Sequence, residues 1–187
     1  ANETAIHEIK KIIDENQIDC DYVNQSSYLF TEQDKYLSKI EDEVKTALNL
    51  GIKASYVEEI PFSIPIKAAV RFDEQAQFHP RKFVLSLAQI INNKGVQIFE
   101  NSRAVGIEYD NNYIVYTQHG HKVKAKKVII ASHYPFYNKP GMYFSRIYTE
   151  RSYVVAIKAR EKYPGGMYIN AEEPTRSFRC QNTDKGE

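Results

Sequence analysis

The chain has 187 residues, 42% of them hydrophobic and 26% charged, which is typical of a globular protein that buries a sizeable core. Its 25 Lys and Arg residues nearly balance its 24 Asp and Glu residues, giving a formal net charge of +1. That balance excludes the strongly basic surface of proteins that bind nucleic acids or anionic membranes.

Localisation and metal content are predicted from the cysteines, the histidines and the N-terminus. No apolar run approaches the roughly 18 residues of a membrane span, and the first residues do not resemble a signal peptide. Cys20 and Cys180 lie far apart and show no CxxC spacing, so we expect reduced structural thiols in a cytoplasmic protein. His119 and His121 are the only histidines at a metal-ligand spacing, and because they fall on a predicted hairpin turn, no metal site is expected.

The first half of the chain alternates helices with strands. Apolar residues at helical spacing predict amphipathic helices over 5–17 and from about 34 to Gly51, the second preceded by a capping-box pattern at Thr31 and Asp34. A third helix is expected from Pro80 to about 94, with His79 as its cap. Strands are predicted between these helices, over 21–31, 56–57 and 66–73.

The second half is predicted to be rich in strands. A short strand at 96–100 leads into a three-stranded meander over 103–109, 113–118 and 121–125, with hairpin turns at 110–112 and 119–120. Further strands are expected near 142–149, 151–160 and 167–181, the last broken at Glu172-Glu173-Pro174.

The run Val128-Ile129-Ile130-Ala131 is the most apolar strand candidate. Its β-branched residues and the absence of polar alternation predict an inner strand of a parallel sheet, covered on both faces. Ligands of such sheets bind at the carboxyl ends of the strands, where Ala131 and Ser132 would lie.

Aromatic residues are unusually frequent, with fourteen Tyr, nine Phe and no Trp. Tyrosines in strands are typical of a half-buried sheet surface. They are also consistent with a pocket whose walls are aromatic, and the sequence leaves both interpretations open.

The order of elements carries a family resemblance. The segment Phe78-His79-Pro80-Arg81-Lys82-Phe83-Val84, its helix, the meander and the run from Lys127 to Ser132 together resemble the FAD-dependent amine and amino-acid oxidoreductases. This group includes D-amino acid oxidase, glycine oxidase and sarcosine oxidase. The resemblance implies an α+β chain, part of an α/β parent enzyme, with a partial Rossmann-like FAD domain, a β-meander and a mixed or antiparallel substrate-domain sheet with helices.

By this resemblance both domains are discontinuous. Residues 1–18 and 78–135 would form the partial FAD-binding domain, and residues 19–77 and 136–187 the substrate-binding domain. The family's GxGxxG fingerprint is absent, because none of the eight glycines has that spacing. We therefore expect an internal piece of a longer enzyme that does not hold FAD by itself.

The resemblance also suggests cofactor residues. Val105 would place its backbone against the adenine ring, and Ala131 and Ser132 would lie near the phosphates of FAD. His133 follows the cofactor-side end of the same strand. Val105 is equally consistent with an ordinary strand-core residue.

Substrate residues are expected on the later strands. Arg179 matches a substrate-facing position and would bind a carboxylate, as arginine does through a two-pronged hydrogen bond. Arg146, Tyr148 and Tyr153 form a second basic and aromatic set, which an exposed strand face with cross-strand pairs would also explain.

The predicted function is hydride transfer from a small-molecule amine or amino acid to flavin, in the full-length enzyme and not in this piece alone. The alternative is a non-catalytic interaction module that uses an aromatic sheet face. Surface left uncovered by the missing parts would favour self-association.

Overall fold

A computed structural model of the chain describes residues 2–138 and 141–181. These residues divide into two compact units. One contains the described residues up to Lys94 and from Ile157 onward, and the other is Gly95–Ala156. The proposed division into FAD-binding and substrate-binding domains concerns the whole protein and stays a prediction.

The three predicted helices are present in the first unit. They are α1 (Asn2–Asn16), α2 (Leu37–Asn49) and α3 (Pro80–Asn93). A single 3₁₀ turn, Asp34–Tyr36, precedes α2. As predicted, Pro80 opens α3 and the ring of His79 accepts a hydrogen bond from the backbone N–H of Lys82.

Five strands of the first unit form one sheet. They are β1 (Val23–Thr31), β2 (Ala54–Val57), β3 (Ala68–Gln77), β7 (Met167–Asn170) and β8 (Ser177–Phe178), in the order β2-β3-β1-β7-β8. Only the β1 and β7 pair of this sheet is parallel, so the sheet is mixed, as the sequence predicted.

The two faces of this sheet are packed differently. On one face, Ile40 and Val44 of α2 lie against Ala68 and Val70 of β3, all of them buried. The other face carries an aromatic layer described below. A third apolar cluster joins α1 to α3 through Ile13 and its neighbours. The mixed sheet with helices confirms the predicted α+β class.

The second unit contains the predicted meander. Its strands are β4 (Ala104–Asp110), β5 (Asn112–Thr117) and β6 (Lys122–Ala125), paired antiparallel in that order. Asn111 and Gly120 make the turns with φ of 55° and 81°, a left-handed conformation that asparagine and glycine tolerate best.

The prediction of a buried strand at 128–131 was wrong. This run has no regular secondary structure, and Ile129 is 90% exposed. An inner strand exists only where neighbouring strands satisfy its backbone hydrogen bonds. Among the described residues, no strand pairs with this run.

Three other strand predictions also failed. Residues 96–100 and 151–160 are irregular, and 142–149 contains only the 3₁₀ turn Tyr143–Ser145. Tyr153, Val154 and Val155 are each more than 80% exposed, so apolar alternation alone did not produce a strand. The strand predicted over 167–181 is shortened to β7 and β8 by a break at 171–176, the position that Glu172-Glu173-Pro174 indicated.

Candidate functional site

Aromatic side chains from several elements meet on the face of the five-stranded sheet opposite α2. Tyr28 of β1 lies directly across from Tyr168 of β7, and Tyr168 in turn lies across from Phe178 of β8. The rings of Tyr28 and Tyr168 stack with centroids 5.1 Å apart, and the ring of Phe62 stacks on Tyr168 at 5.2 Å. Tyr163 contacts both Phe62 and Tyr168, which makes one continuous aromatic layer. Two members of this layer, Phe62 and Tyr163, form the wall of the candidate site.

The turn at Gly165 and Gly166 holds the hydroxyl groups of Tyr163, which precedes β7, and Tyr168, which lies in β7. The hydroxyl of Tyr168 donates to the carbonyl of Gly165 at 2.7 Å, and the hydroxyl of Tyr163 donates to the carbonyl of Gly166 at 3.2 Å. The N–H of Gly166 donates to Oε1 of Gln25 at 2.9 Å. Gly166 has φ of 82°, and a Cβ there would lie 2.8 Å from the hydroxyl oxygen of Tyr168. Glycine is therefore required at this position.

A cleft of about 370 Å³ opens beside this layer. Phe62 and Tyr163 form its aromatic wall, and Pro61, Ser63, Ala159, Arg160, Glu161, Lys162 and Pro164 complete its lining. Its volume lies within the range of about 300–1,000 Å³ that small-molecule sites occupy. The cleft combines an apolar aromatic wall with a charged rim.

Burial keeps the phenols of Tyr163 and Tyr168 protonated. Burial and the neighbouring phenol of Tyr28 raise the pKa of Tyr168 to about 12. Burial also raises the pKa of Tyr163, with Tyr168 and Cys180 adding to the effect and the positive charge of Arg179 opposing it. Both groups are thus neutral hydrogen-bonding groups at physiological pH.

The predicted substrate residues fall in both units of the chain. Arg179 follows β8, is exposed and is close enough to Tyr163 to influence its ionisation. Arg146, Tyr148 and Tyr153 lie in irregular chain of the second unit, where Tyr148 and Tyr153 are 86% and 88% exposed. They form no strand face, and their substrate role stays a prediction.

The predicted cofactor residues do not form an enclosed site within this chain. Val105 lies on β4 and is 54% exposed, and Ala131, Ser132 and His133 are exposed in irregular chain after β6. The hydroxyl of Ser132 donates to the carbonyl of Tyr134, so it already has a local partner. With the GxGxxG turn also absent from the sequence, the described residues do not fit the FAD phosphates by themselves.

The aromatic wall was the part of the site that sequence reasoning did not assign to residues. The excess of tyrosines indicated an aromatic pocket as one of two interpretations. Tyr163 and Tyr168 flank the Gly165-Gly166 pair, a local signal for a turn that brings two tyrosines together. Phe62 is distant in sequence and carries no such signal.

Within 2–138 and 141–181, no group of three or more His, Cys, Asp or Glu side chains is arranged to hold a metal ion. No helix in the same part of the chain has the length and apolar character to cross a membrane.

Comparison with known proteins supplies the family. The family model described as FAD dependent oxidoreductase, DAO, matches residues 1–186. The Bacillus subtilis (strain 168) protein YhfW, whose name describes it as a Rieske 2Fe-2S iron-sulfur protein, is 38% identical over 179 residues, which are 96% of this chain and 35% of YhfW. The chain thus spans about a third of that relative.

Solved structures share the fold. Glycine oxidase from Geobacillus kaustophilus superposes with a TM-score of 0.61 at 14% identity, covering 70% of this chain and 38% of that one. L-amino acid deaminase from Proteus vulgaris gives a TM-score of 0.56 at 19% identity, covering 67% of this chain and 32% of that one. With the family model matching almost every residue, the chain belongs to the DAO family of FAD-dependent oxidoreductases.

Proposed function

We propose that this chain is a largely substrate-domain portion of an FAD-dependent oxidoreductase that oxidises an amine or amino acid by hydride transfer to flavin. The observation that carries the proposal is the cleft beside Phe62 and Tyr163 in a chain of the DAO family. The names of the similar structures, glycine oxidase and L-amino acid deaminase, support an amino acid as the substrate class.

In this proposal the chain binds and orients the substrate, while bound FAD accepts the hydride in the whole protein. Aromatic walls hold the apolar part of a ligand and keep water from the reacting centre. The neutral phenol of Tyr163 and the charged rim supply the few polar contacts that fix its orientation. We place Arg179 among the substrate-binding groups, because it lies near Tyr163.

The isolated chain is proposed to be inactive. Val105, Ala131, Ser132 and His133 would meet FAD only together with parts of the protein outside these 187 residues. We also place the protein in the cytoplasm, because Cys20 and Cys180 lie far apart in the sequence without CxxC spacing, which favours reduced thiols.

Flavin reduction tests the proposal directly. The full-length protein is reconstituted with FAD and mixed with a panel of amino acids and simple amines without oxygen, and flavin absorbance is followed. We expect at least one amino acid to bleach the flavin, and the 187-residue chain to retain no flavin after gel filtration. Full-length protein that stays colourless after reconstitution, or flavin that no substrate reduces, would contradict the proposal.

The alternative is a non-catalytic interaction module built on the aromatic sheet face. Tyr168 is only 1% exposed and Tyr28 only 7%, so most of that face is already covered by the protein itself. This favours the enzyme proposal. A full-length protein that binds no flavin, yet associates through the Phe62 and Tyr163 cleft, would support the alternative.

The name of YhfW suggests the electron acceptor. We propose that the whole protein carries a Rieske-type iron–sulfur centre that receives electrons from the flavin. Such a centre needs two cysteine and two histidine ligands, and the described residues bring no such group together. Iron analysis and electron paramagnetic resonance of reduced full-length protein test this, and absence of iron would exclude it.

A further inference from the structure

The parallel pairing of β1 with β7 begins at Ser27 and Met167. Gly166 lies just before the first pair, and its backbone N–H donates to the side chain of Gln25, whose Oε1 lies 2.9 Å away. A side chain of β1 thus supplies the acceptor that the main chain would supply in a longer parallel ladder. Gln25 therefore fixes the entry into β7 on the sheet.

The peptide group between Gly165 and Gly166 is held at both of its polar ends. Its N–H donates to Gln25, and its carbonyl oxygen accepts the hydroxyl of Tyr168 at 2.7 Å. Such a group cannot rotate without breaking a hydrogen bond, and each bond polarises the peptide and strengthens the other. The direction of the next carbonyl, that of Gly166, is fixed as a result.

Tyr163 depends on this next carbonyl. Its hydroxyl donates to the carbonyl of Gly166 at 3.2 Å, and its ring packs on Phe62 with centroids 5.6 Å apart. Tyr163 lies in irregular chain before β7, so these side-chain contacts set the position of its ring. Because Phe62 and Tyr163 form the aromatic wall of the cleft, the hydrogen bond at Gln25 controls that wall from a position that does not line the cleft.

Only one end of the Gln25 side chain takes part. Its Nε2 is buried and has no hydrogen-bond partner among the described residues. The amide therefore acts through Oε1, and an oxygen at the same distance along the side chain should serve as well. Glutamate offers that oxygen, whereas methionine has a similar length and only a weak acceptor in its sulfur.

We propose that Gln25 is a positioning residue of the cleft, which acts through the peptide between Gly165 and Gly166 to hold the hydroxyl of Tyr163 and, with it, the aromatic wall that the substrate meets. The inference rests on the proposed function, which makes this cleft the substrate site. Gln25 touches neither substrate nor flavin in this role. It determines how firmly the apolar part of the substrate is held and not the rate of hydride transfer.

A fluorine reporter tests this hydrogen-bond chain without any turnover. Tyr163 of the full-length protein is replaced by 3-fluorotyrosine, and its fluorine resonance is recorded in the otherwise unaltered protein and in Gln25→Met, Gln25→Glu and Gln75→Met. Gln75 is the matched control, because it lies directly across from Gln25 on β3 and its amide contacts Glu3 and Asp73. Gln25→Met should shift or broaden the resonance, and Gln25→Glu and Gln75→Met should leave it in place.

Kinetics test whether Gln25 acts through Tyr163. In flavin reduction, Gln25→Met should raise KM by roughly two- to tenfold, the worth of one neutral hydrogen bond, and change kcat much less. Gln25→Glu should keep the KM of the unaltered protein. Tyr163→Phe removes the last link of the chain, so adding Gln25→Met to it should raise KM no further.

The inference is overturned if the fluorine resonance stays in place in Gln25→Met, if Gln25→Glu disturbs it as much, or if the KM effects of Gln25→Met and Tyr163→Phe add. If Gln25→Met does not fold, Gln25→Asn replaces it under the same criteria, because its oxygen is one methylene too short to reach Gly166. Flavin that no substrate reduces contradicts the proposed function alone, since the fluorine measurement requires no substrate.

Discussion

Glu172 and Thr31 are joined by a buried hydrogen bond, in which the Thr31 hydroxyl donates to the Glu172 carboxylate at 2.5 Å. The same carboxylate oxygen accepts the backbone N–H of Glu32 at 2.9 Å. Thr31 is fully buried and Glu172 is 7% exposed, although they are 141 positions apart in sequence. The contact ties the segment between β7 and β8 to the end of β1, and so holds β7, which carries Tyr168, against β1.

Glu172→Ala should destabilise the chain, because it removes the acceptor of the Glu32 N–H and leaves the buried Thr31 hydroxyl only its longer hydrogen bond to the carbonyl of Gln33, at 3.2 Å. The expected loss is about 1–3 kcal/mol in the free energy of unfolding, the usual cost of buried unsatisfied polar groups. Urea denaturation measures it. Glu173→Ala, at the exposed neighbouring position, should change stability far less, and equal effects of the two variants would contradict the role of Glu172.

Stability should depend on pH through the same carboxylate. Burial favours the neutral acid, but hydrogen bonds from Thr31, the backbone and Asn170 outweigh it and lower the pKa of Glu172 from 4.5. Because the folded pKa is below the unfolded one, the contribution is present above about pH 4.5 and is lost as pH falls through the folded pKa. Denaturation midpoints measured from neutral to acidic pH should fall for the unaltered chain. The fall should be shallower in Glu172→Ala, and parallel curves would refute the assignment.

Alkaline titration should reveal the buried aromatic layer. The pKa of Tyr168 is raised from 10.0 to about 12, so the folded protein binds this proton more tightly than the unfolded chain. Its stabilising contribution is complete below about pH 10 and is lost as pH rises towards the folded pKa. Tyrosinate absorbance should show a late fraction that disappears in urea and is reduced in Tyr168→Phe. A late fraction that persists unchanged in Tyr168→Phe would contradict the assignment to Tyr168.

Gly166→Ala should disturb the two-tyrosine turn more than a comparable change elsewhere. A Cβ at Gly166 meets the Tyr168 hydroxyl oxygen at 2.8 Å, and φ is 82°. Gly95 has φ of 84° with nothing within 4 Å of an added Cβ, so Gly95→Ala measures the backbone strain alone. Strain of this kind costs on the order of 1 kcal/mol, and we expect Gly166→Ala to exceed Gly95→Ala in thermal unfolding. If the two variants lose equal thermal stability, the added Cβ at position 166 does not clash with the Tyr168 hydroxyl, and the prediction is wrong.

Local patterns were sufficient for much of the architecture. The spacing of Ile9, Ile12 and Ile13, the Pro80 start of α3, and the turns at Asn111 and Gly120 all predicted elements that the structure contains. In each case the determining interactions lie within a few residues along the chain, which is why a sequence pattern can report them.

Sequence patterns gave wrong strand predictions where the strand that would have to pair with the segment is distant in sequence or not among the described residues. Val128-Ile129-Ile130 and Tyr153-Val154-Val155 have strand composition, yet both runs are irregular, because among the described residues no neighbouring strand pairs with their backbones. Strand formation depends on long-range hydrogen bonds that composition does not encode. The same limit applied to Glu172, because no local pattern pairs it with Thr31, which is 141 positions away.

The sequence by itself determined the helices, the meander, the α+β class and the resemblance to FAD-dependent oxidoreductases, and it left open whether the many tyrosines cover a half-buried sheet surface or line a pocket. Only the tertiary structure decided that Tyr28 and Tyr168 are buried in the aromatic layer on the sheet, while Tyr163 lines a cleft. Sheet pairing places Tyr28 beside Tyr168, and the loop around Phe62 folds onto Tyr163, although these residues are widely separated along the chain. A binding wall of this kind is created by register and packing between distant segments, and no local pattern specifies either.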